Sequence, residues 1–65
     1  MLERIIQLLK TGNDIRIWHA DGTDYYLDKK NTGIYTEEFG KKLINTLTSL
    51  IWVHGEIIKV EKVHY

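Results

Sequence analysis

Sixty-five residues with no cysteine exclude disulfides and thiolate zinc sites, and they leave one domain, residues 1–65, near the size at which a core alone barely suffices. Apolar residues at 43%, with two Trp, four Tyr and one Phe, exclude a disordered chain. Nine basic side chains balance nine acidic ones, which argues against duplex nucleic acid, a partner bound mainly through neutralised phosphates.

No apolar run approaches the ~18 to 20 residues of a membrane span. The longest, Leu50-Ile51-Trp52-Val53, stops at His54. The N-terminal Met1-Leu2-Glu3-Arg4 lacks the charged and apolar regions of a signal peptide, so a cytoplasmic location is expected.

Residues 2–10 carry Leu2, Ile5, Ile6 and Leu9 at i, i+3, i+4 and i+7, a single apolar stripe that predicts a helix. Lys10 sits in its last turn, and Gly12 is placed to end it. A helix this short needs a surface to dock on.

Two strand-like runs follow, separated by Asp21-Gly22, a dipeptide that signals a two-residue hairpin loop of type I′. That loop sets Ala20 opposite Thr23, Trp18 opposite Tyr25 and Arg16 opposite Leu27. The other side then holds Ile15, Ile17 and His19 against Asp28, Tyr26 and Asp24. Both faces of such a hairpin carry apolar groups.

Lys29-Lys30-Asn31-Thr32-Gly33 reads as a second polar reversal. Thr36 then caps a second helix whose first turn holds Glu37 and Glu38, where the dipole favours negative charge. Phe39, Leu43, Leu47 and Leu50 form its buried stripe. Gly40 costs that helix about 1 kcal/mol relative to Ala and marks a close approach, expected to the hairpin. The spacing carries the helix to His54 with Gly55 beyond it, although the β-branched residues between Leu50 and Val53 also suit a strand. Residues 56–65 form a last strand. Its apolar phase passes from Ile58 and Val60 to Val63 and Tyr65, as either a bulge near Glu61-Lys62 or an edge strand half buried on both faces would produce.

The predicted fold is α+β: a small two-layer sandwich with an N-terminal helix, a β-hairpin, a second helix and a C-terminal strand completing a three-stranded antiparallel sheet. His19, His54 and His64 lie far apart in sequence without zinc spacing, so no metal is expected. His19 is placed opposite Asp24 as a solvated cross-strand pair. The run Asp21-Gly22-Thr23-Asp24 lacks the ligand spacing and terminal Glu of a calcium loop. With no phosphate loop or nucleophile motif either, neither an enzyme nor a cofactor is expected.

Two helical stripes cover one face of a three-stranded sheet and leave the other open. The exposed set is then Arg16, Trp18, Tyr25 and Leu27, or else Ile15, Ile17 and Tyr26. Aromatics and Arg are enriched at the centres of protein interfaces. The function expected is therefore a non-enzymatic interaction or regulatory module, self-associating as a homodimer or docking on another protein. A chain of this size beginning at Met suits a small regulatory protein of a bacterium or phage. The runner-up is a single-stranded nucleic-acid binder using Trp18 and Tyr25 with Arg16, Lys29 and Lys30.

Overall fold

The computed structural model describes residues 1–64. In chain order it holds α1 (Leu2–Lys10), β1 (Ile15–His19), β2 (Asp24–Leu27), α2 (Lys29–Thr32), α3 (Glu37–His54) and β3 (Ile57–Lys62). The strands form one antiparallel sheet in the order β2-β1-β3. This is the α+β arrangement expected from the sequence. One short helix is added: the second polar reversal is the single turn α2, capped by the Asp28 carboxylate, which accepts from Asn31 N at 2.9 Å.

The stripe on α1 works as its spacing implies. Ile5 and Leu9 are buried, with Leu2 and Ile6 packed at the margin. In α3 the Thr36 hydroxyl accepts from Phe39 N at 3.1 Å. The helix continues through Leu50–Val53 to His54, so packing of Leu43 and Leu47 outweighs the local β preference of Ile51 and Val53. Both helices lie on the same side of the sheet. Ile5, Leu9, Ile15, Ile17, Leu43, Leu47 and Ile57 form the core, each buried side chain contributing about 1.5–3 kcal/mol. No helix among the described residues is long and apolar enough to cross a membrane.

The hairpin differs from expectation by one residue. His19 N donates to Thr23 O at 2.8 Å, and Gly22 N donates to His19 O at 3.0 Å. The loop is therefore three residues, Ala20-Asp21-Gly22. Among the described residues only glycines have positive φ, and Gly22 stands at +89°. A type I turn followed by a left-handed Gly fits this pattern, whereas type I′ would also require positive φ at Asp21. Asp21 is held by its own side chain, which accepts from Thr23 N at 2.9 Å, and by its N–H, which donates to His54 O at 3.2 Å. The register becomes Ile15↔Leu27, Arg16↔Tyr26, Ile17↔Tyr25 and Trp18↔Asp24. A slip of one residue moves every β2 side chain to the opposite face.

The β3 bulge lies earlier than expected. Trp18 pairs with Lys59 but His19 pairs with Ile57, leaving Ile58 as the extra residue. Ile57 points into the core, Val60 packs against it and Ile58 is exposed. The expected phase change at Glu61-Lys62 is thus replaced by one at Ile58. Tyr65, assigned to the same strand, lies outside the described residues.

Candidate interface on the open sheet face

β1 alternates strictly. Ile15, Ile17 and His19 are buried beneath the helices, while Arg16 and Trp18 are half-buried on the other face. With the observed registers, that outer face carries two rows across β2, β1 and β3. Asp24, Trp18 and Lys59 form one row, and Tyr26, Arg16 and Glu61 form the other. Ile58 and Tyr26 add exposed apolar surface at 61% and 45%.

Trp18 is enclosed by cations. The Arg16 guanidinium lies 4.3 Å from the Trp18 ring centroid and 5.3 Å from that of Tyr26, and Lys59 Nζ lies 4.8 Å from the Trp18 ring. Such contacts at partly exposed sites are worth about 0.5–1 kcal/mol each. Arg16 donates through Nε to Asp24 at 2.7 Å and also through Nη2. The Asp24 hydrogen bond raises the Arg16 pKa above its usual value. Lys59 pairs with Glu61 at 3.5 Å. Each cation on this face therefore has an acid beside it, and the face presents alternating charge around aromatic rings.

The set expected at the interface is divided by the register. Arg16 and Trp18 lie on the open face. Tyr25 and Leu27 point to the helix side, where both pack against the core. The alternative set also divides, with Ile15 and Ile17 fully buried and Tyr26 outside. The stacking platform for single strands is not assembled: Trp18 and Tyr25 occupy opposite faces, and Lys29 and Lys30 belong to α2. Sequence reasoning missed Lys59 as a neighbour of Trp18, because that contact needs the β1–β3 register. Tyr26 on the Trp18 face was likewise hidden by the hairpin slip.

A polar cluster ties the hairpin turn to the end of α3. His19, expected on a solvated face opposite Asp24, is instead fully buried and paired with neither acid of the hairpin. Its Nδ1 donates to Gly55 O at 2.7 Å, and its Nε2 accepts from the Tyr25 hydroxyl at 3.0 Å. The tautomer follows from Gly55 O, since a carbonyl can only accept. Tyr25 is half-buried, and burial raises its pKa. Remote in sequence, His19 and His54 have ring centroids 5.7 Å apart.

His54 Nδ1 donates to Asp21 Oδ2 at 2.8 Å and lies 3.3 Å from Thr23 Oγ1. The Asp21 carboxyl is lowered to about 2, chiefly by the Thr23 backbone N–H, then by the Thr23 hydroxyl, with His54 a smaller cause. Asp21 and Thr23 approach the same nitrogen of His54. A proton relay needs an acid on one ring nitrogen and a nucleophile on the other, so this cluster does not form one. Its hydrogen bonds join the turn to the end of α3. No group of three or more His, Cys, Asp or Glu among the described residues is arranged to hold a metal ion.

Concavities also lie among the described residues away from the open sheet face. A groove of about 140 Å³ lies between the end of α1, α2 and the Tyr35–Phe39 segment, with Lys10 and Lys29 at its rim. A second, of about 290 Å³, is an apolar trough formed by Leu2, Glu3, Ile6 and Ile44 on the helix layer. On α3, Trp52 and Val53 are also exposed, at 86% and 73%. Comparison of the chain with protein-family models, curated proteins and solved structures finds no match.

Proposed function

We propose that this protein is a non-enzymatic interaction module that self-associates through the open face of its sheet. The observation that carries this reading is Trp18 on the central strand, facing away from the helices between Arg16 and Lys59. A large aromatic flanked by Arg at the middle of an uncovered face is the composition found at interface centres. The adjacent Asp24 and Glu61 offset both cations, which favours a protein surface of mixed charge over a phosphate backbone.

Sedimentation velocity over a wide concentration range tests the proposal. The native chain is expected to associate reversibly, and Trp18→Ala to weaken association at least about tenfold with the amide spectrum of the fold retained. Trp52→Ala serves as the control on the helix layer. A strictly monomeric native chain, or association lost in Trp52→Ala and kept in Trp18→Ala, would overturn the assignment.

A further inference from the structure

The sheet face is complementary to itself in one orientation, and we infer that a second copy docks with its strands reversed, so that each row of one face lies on the other row of its mate. The inference rests on self-association through the open face and adds to it the arrangement of the two copies.

Three columns run along the strands: Asp24 and Tyr26 on β2, Trp18 and Arg16 on β1, and Lys59 and Glu61 on β3. A two-fold axis between the facing sheets, running across the strands, keeps each column and exchanges the rows. Trp18 then meets Arg16 of the second copy, Lys59 meets its Glu61, and Asp24 meets its Tyr26 hydroxyl. Each contact occurs twice, as an isologous interface requires. Two of these pairings repeat chemistry that each chain already makes within itself, Arg16 over Trp18 at 4.3 Å and Lys59 with Glu61 at 3.5 Å.

An axis running along the strands gives a poorer match. It also joins Lys59 to Asp24 and sets Glu61 against the Tyr26 hydroxyl, but it stacks Arg16 directly on Arg16. Juxtaposed like charges are strongly disfavoured across an interface. Size limits the affinity. Three strands about 4.8 Å apart and about five residues long make a face of roughly 14 by 17 Å. A pair of such faces falls below the ~1,200 Å² of ordinary stable interfaces, so the dimer is weak and exchanges readily.

Charge exchange distinguishes the arrangements. Lys59 and Glu61 side chains are 60% and 43% exposed, so substitutions there leave the core intact. Lys59→Glu and Glu61→Lys chains are each expected to lose self-association about tenfold or more, because like charges meet twice. An equimolar mixture of the two restores association as a heterodimer. The acid introduced into one chain then faces the base introduced into the other, and the native Glu61 and Lys59 that remain face each other. Mixing Lys59→Glu with Asp24→Lys does not bring the Lys59→Glu chain back into a dimer. Light scattering on each chain and mixture, with thermal melts to confirm folding, reads the result. Rescue by Asp24→Lys, or no rescue by Glu61→Lys, overturns the arrangement while the dependence of association on Trp18 stands. A native chain that is monomeric throughout removes the underlying reading as well.

Discussion

His19 and Tyr25 form a hydrogen bond on the helix side of the sheet, the Tyr25 hydroxyl donating to His19 Nε2 at 3.0 Å. The contact exists because the three-residue loop brings Tyr25 to the inner face, diagonal to His19 across the two strands. Tyr25→Phe keeps the ring and removes the donor, leaving a buried nitrogen without its partner. The expected cost is about 1–3 kcal/mol. A urea titration of both chains checks it, and an unchanged midpoint would show that the bond is not made in solution.

Gly40 is small because of Tyr35. A Cβ at Gly40 would lie 2.1 Å from the Tyr35 hydroxyl oxygen and 2.9 Å from its ring carbon. The close approach expected at this glycine is therefore to the segment preceding α3 and not to the hairpin. Gly40→Ala gains about 1 kcal/mol of helix propensity. It also pushes the far end of the Tyr35 side chain aside and gives up its edge-on contact with Phe39, about 0.5–1.5 kcal/mol. The two effects are expected to nearly cancel in the native background. In a Tyr35→Ala background the helix gain stands alone, so the same change is expected to be more stabilising there, and denaturant midpoints of the four chains measure the difference.

The Asp21 carboxylate is expected to make the hairpin turn sensitive to strong acid. Asp21 falls from the usual 3.8 to about 2, held mainly by the Thr23 N–H. Because the folded-state value is depressed, its contribution is present above about pH 4 and is lost as pH falls towards 2. Carboxyl chemical shifts should place the Asp21 midpoint near the depressed value of about 2. Asp21→Asn should flatten the pH dependence of stability within that window, and an Asp21 midpoint at the ordinary carboxyl value would contradict the turn geometry.

Gly55 joins α3 to β3 with φ +90° and ψ −179°, a region open almost exclusively to glycine. An added Cβ would also sit 3.1 Å from Ala20 Cβ. Gly55→Ala is expected to cost about 1–3 kcal/mol, and calorimetry of the variant measures it. A melting temperature equal to the native one would mean that the connection takes another conformation.

The helices and the hairpin were legible because their signals are local. Leu2, Ile5, Ile6 and Leu9 share one helical face whatever lies elsewhere, and Thr36 followed by Glu37 and Glu38 announces a helix start. Asp21-Gly22 likewise announces a turn, yet it serves both a two-residue and a three-residue loop. The choice between them was hidden, because the N–H of Asp21 is drawn to His54 O at the far end of a helix remote in sequence. That single ambiguity exchanged Tyr25 for Tyr26 on the open face. Similarly, the consecutive residues Ile57 and Ile58 carry no local mark of which one turns inward. Arg16 and Trp18 were placed together correctly, since alternation within one strand does not depend on the partner.

The central strand also has a consequence for the order of assembly. β1 finds β2 across a three-residue loop, but it finds β3 only after all of α3 has been laid down. Hairpins close in about 1–10 μs, whereas joining segments distant in sequence carries a larger entropic penalty before any contact compensates. Closure of β1 onto β3 is therefore expected to be the slower of the two pairings, and until it occurs one edge of β1, the strand that carries Ile15 and Ile17, is left unpaired.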